Sequence, residues 1–258
     1  MRKIFYVLAA LCLLASCAAP SNKVKILAHR GLYTTGTQTT TDENTLDALR
    51  RAQEEGGIDG VEFDVHLTAD SMLVIRHDDK IAEGLSCQGS KLEEIRAYTL
   101  PFGNKIPTLQ EWLDQAKQTP GIKMHLELKA HPAEKVPYLI SRCLEEIRAR
   151  DMLDQMCVLS FDAAVLDEVL RQEPGMKVIL NSSKLHNSLS PEEVKEHGFP
   201  AISYNLTVIL NHTDWISKFQ EYGIETYLWM VDDKYLRGVA EDFGFTWLTT
   251  DYAQIIKY

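Results

Sequence analysis

Two acidic residues two positions apart, Glu62 and Asp64, stand in the apolar run Gly60–His66, and a second spaced pair, Glu127 and Lys129, ends the run Met124–Leu128. Residues i and i+2 of a β-strand project from the same face, so each pair points one way. On neighbouring strands of a closed sheet, Glu62, Asp64 and Glu127 converge on one mouth. Converging carboxylates repel one another. A hard divalent cation, Mg2+ or Ca2+, relieves that repulsion and takes oxygen ligands by preference. The competing reading is a structural ion-pair network in which Lys129 neutralises two of the acids, but it gives no role to two nearby histidines.

Those histidines are His29, at the end of the run Lys25–Ala28, and His77, after the run Met72–Arg76. Imidazole titrates near neutral pH, so one ring can take a proton while the other gives one. We assign His29 as base and His77 as acid. Arg30 presents a planar fork of donors suited to phosphate, or else a surface ion pair. Gly31 allows close backbone approach at the turn. Trp229 either walls the pocket against an apolar part of a substrate or packs the barrel.

The elements that must position these groups alternate along the chain. Strand-type runs are Lys25–Ala28, Gly60–His66, Met124–Leu128, Cys157–Ser160, Lys177–Asn181, Ala201–Tyr204, Glu225–Val231 and Thr246–Thr249. Helical patterns lie between them at Thr45–Glu55, Thr108–Lys117, Ala133–Arg150, Ala163–Gln172, Pro191–Glu196, Thr213–Tyr222 and Lys234–Phe243. This alternation predicts an α/β fold, a TIM (β/α)8 barrel with a short extra strand, Met72–Arg76, after the second main one. Active sites of such barrels sit at the C-terminal ends of the strands, where the ionisable residues cluster. A doubly wound open sheet is the alternative, but it wants a Gly-rich phosphate loop after the first strand, and the sequence has none there.

In order, His29-Arg30-Gly31, Glu43-Asn44-Thr45, Glu62-Phe63-Asp64, His77-Asp78, Ile106-Pro107-Thr108-Leu109 and Glu127-Leu128-Lys129 resemble the motifs of the glycerophosphodiester phosphodiesterases. The resemblance runs from about Lys25 to Leu248-Thr249-Thr250-Asp251 near the end. It implies that Glu62, Asp64 and Glu127 bind one divalent metal, that His29 and His77 are catalytic, and that Arg30 and Lys129 hold the phosphate. It also implies hydrolysis of a glycerophosphodiester to an alcohol and sn-glycerol 3-phosphate. Two departures stand out: Asp42 where a Pro is usual, and Asp232-Asp233 in place of an Asn-bearing strand end. The short segment Asp79–Lys105 leaves no room for a large lid. A phospholipase D-like relative releasing a cyclic phosphate, and a non-catalytic phosphate-binding barrel, are the alternatives.

The N-terminus carries a different signal. Arg2 and Lys3 precede the apolar stretch Ile4–Leu14, and Leu14-Ala15-Ser16-Cys17 resembles a bacterial lipobox. We therefore expect a signal peptide over 1–16, a lipid on Cys17, a tether over 17–24 and one domain over 25–258. The lipid would hold the protein at a membrane of the bacterial cell envelope, facing the periplasm or the outside. The net charge of −10 speaks against a nucleic-acid partner, and no protein partner is implied. An anionic substrate must then be drawn by a local positive site. Cys87, Cys143 and Cys157 read as buried thiols, with one disulfide as the alternative.

Overall fold

The computed structural model describes residues 23–183 and 188–257. The expected signal peptide, Cys17 and most of the tether lie outside the described residues. Eight parallel strands close into a barrel: β1 (Lys25–Ala28), β2 (Gly60–Leu67), β4 (Lys123–Leu128), β5 (Met156–Ser160), β6 (Lys177–Ser182), β7 (Ala201–Asn205), β8 (Glu225–Trp229) and β9 (Trp247–Thr250). β1 pairs with β9 on one side and β2 on the other, which completes the ring. β3 (Leu73–Ile75) is the extra strand and runs antiparallel to the upper half of β2.

The strands read as continuous apolar runs because both faces are covered. Every residue of β2 is buried. One face points into the barrel, where Leu27, Cys157, Leu159, Ile179, Ala201, Tyr227 and Trp247 form an inner core. The other face, with Ile26, Val61, Phe63, Leu126, Val158 and Val178, packs on the helices. Gly60 is small because the barrel is full at that level: a Cβ there would come within 2.9 Å of Leu27 and 3.1 Å of His125.

The helices are α1 (Leu46–Glu54), α2 (Leu92–Ala97), α3 (Leu109–Ala116), α4 (Val136–Ala149), α5 (Ala163–Gln172), α6 (Pro191–His197), α7 (Leu206–Asn211), α8 (Trp215–Glu221), α9 (Lys234–Asp242) and α10 (Ala253–Ile256). Several start on residues that satisfy free N–H groups of the first turn. Thr45 accepts from Ala48, Asp162 accepts from Ala164, and Thr108 with Glu111 forms a reciprocal capping box. Among the described residues, no helix is long and apolar enough to cross a membrane.

Beyond shifts of one or two residues at other ends and the added helices α2 and α10, three differences from the sequence reading stand out. β8 ends at Trp229, not Val231, because the chain turns away to seat Asp232 against Thr250 and Asp251 and to cap α9 with Asp233. The run Ala133–Arg150 opens with a 3-10 turn at Ala133–Lys135 before α4 begins. α7 was not foreseen: its Leu-Thr-Val-Ile-Leu-Asn sequence shows no polar stripe, and it is set by Asn205 capping Thr207. Cys87, Cys143 and Cys157 are free and buried, as the thiol reading expected.

Candidate active site and metal centre

β2 and β4 pair in a register that sets Asp64 directly beside Glu127. Glu62, one inward position earlier, completes a cluster whose carboxylate oxygens lie within 4.8 Å of one another. All three residues are buried. Lys129 Nζ is the local counter-ion, 2.8 Å from Asp64 Oδ1 and 2.6 Å from Glu127 Oε1. Asn44 Nδ2 donates to Asp64 Oδ2 at 2.7 Å, and Asn181 Nδ2 donates to Glu127 Oε2 at 3.2 Å. Glu62 Oε1, though buried, has no hydrogen-bond partner.

The electrostatics follow from this crowding. Burial, reinforced by Asp64 and Glu127, holds the Glu62 carboxyl well above its ordinary range. Burial and then Asp64 raise Glu127 as well. Asp64 goes the other way: burial pushes it up, but Lys129 and the two histidines outweigh burial and leave it low. One lysine does not balance three carboxylates. The ion-pair network weighed from the sequence therefore exists but is incomplete. An orphaned buried oxygen within an all-oxygen donor set fits a hard divalent cation.

The first strand delivers the groups opposite. At its end Arg30 and Gly31 both take positive φ, 56° and 83°. A Cβ on Gly31 would lie 2.8 Å from that of Ala48, so glycine is required for both conformation and space. This turn aims the Arg30 N–H at Glu62 Oε2, 2.9 Å away. The Arg30 guanidinium pairs with Glu43 at 2.8 Å and comes within 4.0 Å of Asp64.

Each proposed catalytic histidine is backed by a carboxylate on Nδ1. For His29 it is Asp251 at 2.7 Å, and for His77 it is Asp78 at 2.8 Å. His29 Nε2 faces Glu62 at 3.9 Å. Asp251 is itself held, its N–H donating to Asp232 Oδ1 and its carbonyl accepting from Thr34 Oγ1. Although burial would raise the Asp251 carboxyl, its bond to His29 keeps it below the ordinary range.

Two further histidines brace the main chain. His131 Nε2 accepts from the Leu67 N–H, so its Nδ1–H is the group that donates to the Lys129 carbonyl at 2.7 Å. His66 Nε2 bonds the His77 carbonyl at 3.2 Å, and burial lowers its pKa to about 4.

A cavity of about 300 Å3 at the C-terminal mouth is lined by His29, Arg30, Glu62, His77, Glu127, Lys129 and Trp229, while Asp64 is fully buried beside them. All eight candidate residues thus come together. Trp229 serves both readings: its Nε1 donates to the Ser203 carbonyl, and its ring borders the cavity with Phe161 edge-on at 5.8 Å. Lys129 and Arg30, expected on phosphate, are paired to carboxylates in this structure. Asp251, Asn44 and Asn181 went unread in the sequence as site residues. The Leu-Thr-Thr-Asp run at the last strand end was the available signal for the first of them.

A closed parallel barrel with a buried acidic cluster, two carboxylate-backed histidines and two cationic side chains at its mouth suits hydrolytic chemistry on an anionic substrate. The Glycerophosphoryl diester phosphodiesterase family matches residues 29–255, and the chain belongs to that family. It is 27% identical over 228 residues to a glycerophosphodiester phosphodiesterase of Caldanaerobacter subterraneus, covering 82% of this chain and 87% of that one. The crystal structure of a glycerophosphodiester phosphodiesterase from Parabacteroides distasonis superposes with TM-score 0.82 at 32% identity, over 90% of this chain and 94% of that one. An Oleispira antarctica phosphodiesterase, solved in complex with the product sn-glycerol-3-phosphate, shares the fold at TM-score 0.76 and 23% identity, over 90% of this chain and 95% of that one.

Proposed function

We propose that this protein hydrolyses glycerophosphodiesters to an alcohol and sn-glycerol 3-phosphate, with one Mg2+ or Ca2+ held by Glu62, Asp64 and Glu127. The observation that carries the reading is the meeting, in one cavity, of a buried carboxylate cluster with an unpartnered oxygen and two histidines each oriented by an acid. Named relatives over most of the chain, and the glycerol 3-phosphate bound by the Oleispira protein, support this substrate class.

A phosphodiester gains charge on its equatorial oxygens during attack at phosphorus. A divalent cation supplies charge neutralisation there when bound. Arg30 and Lys129 add positive charge at the same mouth. With Nδ1 tied to Asp251, His29 has Nε2 left to take the nucleophile's proton. With Nδ1 tied to Asp78, His77 has Nε2 left to protonate the departing alkoxide. The nucleophile is water, or the neighbouring glycerol hydroxyl. The intramolecular route gains from proximity and gives a cyclic phosphate that water then opens. A merely phosphate-binding barrel is disfavoured because no histidine or carboxylate of the set is missing.

The test is a panel of glycerophosphodiesters assayed with and without chelator, with products identified by phosphorus NMR. Metal-dependent release of glycerol 3-phosphate is the expected result. Accumulation of a cyclic phosphate as final product would move the chain to the phospholipase D-like reading, and no turnover of any diester with either cation would leave only the binding barrel. We also place the protein at the cell envelope, anchored through a lipid on Cys17. The support for that is the basic, apolar and Leu14-Ala15-Ser16-Cys17 pattern of the N-terminus.

A further inference from the structure

A second cavity, about 540 Å3, opens beside the catalytic one, and Glu127, Lys129 and Phe161 line both. It runs outward between the start of α4 and the start of α5, over Leu128, Val136, Leu139, Ala164 and Val165. We propose that this groove takes an alkyl chain carried by the leaving alcohol of the diester, so that apolar glycerophosphoalcohols are preferred over those with an ammonium headgroup. The proposal rests on the diesterase reading given above.

Three observations carry it. First, the groove joins the phosphate seat through shared residues, so an ester arm leaving phosphorus past Lys129 enters it directly. Second, each of its three acids already has a partner, Glu127 being paired with Lys129. Asp162 caps Ala164, and Glu168 holds Arg171 through two bonds at 2.6 Å as well as Gln172. An ammonium headgroup would have to compete with these partners for the acids, whereas a chain would find alkyl walls in Leu128, Val136, Leu139 and Val165. Third, the catalytic cavity is polar at its inner end, where Asn181, Ser203 and Thr249 lie. Asn181 Oδ1 is buried without a partner there, an acceptor for a hydroxyl. Glycerol, with its hydroxyls, suits that end and leaves the groove to the other arm. Phe161, half exposed, stands at the junction with its edge on Trp229 and presents an apolar surface to a chain turning into the groove.

The experiment compares kcat/KM for the ethyl, butyl, hexyl and octyl esters of glycerol 3-phosphate, below their micelle concentrations, with that for glycerophosphoethanolamine. We expect kcat/KM to rise about twofold per methylene from butyl to octyl, half the transfer energy of a fully buried CH2 because the groove is open on one side. Ala164→Glu, in the first turn of α5 where an acid suits the helix N-terminus, and Ala133→Glu, in the 3-10 turn ahead of α4, put a charge in the groove at exposed positions. Each should flatten the chain-length series and leave the ethyl ester rate unchanged. A flat series in the native protein, or an ethanolamine ester outrunning the octyl ester, overturns the proposal and leaves the diesterase reading intact. So does a series in which only an acyl chain on the glycerol raises kcat/KM, since the groove then takes the opposite arm. No turnover of even the ethyl ester with Mg2+ or Ca2+ defeats the diesterase reading itself, and the proposal with it.

Discussion

Asp251 brings a carboxylate oxygen to 2.7 Å from Nδ1 of His29, although the two residues stand at opposite ends of the chain. They meet because the first and last strands of the barrel are hydrogen-bonded neighbours. The contact holds the proton on Nδ1, orients the ring and steadies the imidazolium that forms when Nε2 takes a proton. Asp251→Asn keeps the shape but removes the charge and allows the wrong tautomer. We expect kcat to fall on the order of 10²-fold with KM little changed, the scale of general-base catalysis. Steady-state kinetics with an unaltered melting temperature check this; a wild-type kcat would reject the role.

The acid and base are separable by leaving-group chemistry. If His77 protonates the departing alkoxide, His77→Ala loses far more activity on a glycerophosphoalcohol than on a nitrophenyl ester, whose leaving group needs little help. His29→Ala should damage both reactions alike. Exchange of the two patterns would show that the roles are swapped, and equal losses everywhere would reject the assignment.

Metal binding can be read without turnover. Mg2+ or Ca2+ at about 100 times its Kd should stabilise the protein by about 2.7 kcal/mol, seen as a rise in melting temperature. Glu62→Gln should abolish that rise while leaving the metal-free protein at least as stable, because burial, with Asp64 and Glu127 beside it, makes the native carboxylate charge unfavourable. A metal-induced rise that survives in Glu62→Gln would remove this residue from the ligand set.

Acid lability should trace in part to His125 at the barrel floor. Burial first, then the charge of Lys177, depress its pKa from 6.5 to about 3. Above pH 6.5 the ring is neutral whether folded or not. Below it, the unfolded chain binds a proton that the native state refuses, so stability falls as pH falls toward 3. Two pH units below the unfolded value the cost is roughly 3 kcal/mol. Urea melts should therefore show a shallower acid slope in His125→Gln than in the native protein. Because Glu62, Glu127 and His66 are common to both, the difference isolates His125, and identical slopes would contradict it.

The anchor has its own test. Cys17→Ser should leave a soluble or unprocessed precursor, while the native protein partitions with membranes. Identical soluble fractionation of both would defeat the lipobox reading.

Much of the site was legible because strand parity is strict. Glu62, Asp64, Glu127, Lys129, Trp229 and His29 all fall on the inward side of strands whose apolar runs were plain. What stayed hidden depends on distant pairing. Asn44 reaches Asp64 only through a positive-φ turn, Asn181 reaches Glu127 across the barrel, and Asp251 reaches His29 through ring closure. The unusual Asp232 holds Asp251 and Thr250 in place. The unusual Asp42 accepts from Phe102 and Asn104, and so ties the first loop to the inserted segment. Neither partner is close in sequence, so local patterning could not assign them.

Lys129 sets an order of events. An ammonium already seated between Asp64 and Glu127 lets the barrel close around its acids before any ion arrives. Maturation can then proceed as folding first and loading second, unlike small metal domains that stay unfolded until charged. An ion held by Glu62, Asp64 and Glu127 would compete with that ammonium for the same oxygens and would free it to face the mouth. The same exchange that fills the centre would therefore also arm the seat for an incoming phosphate.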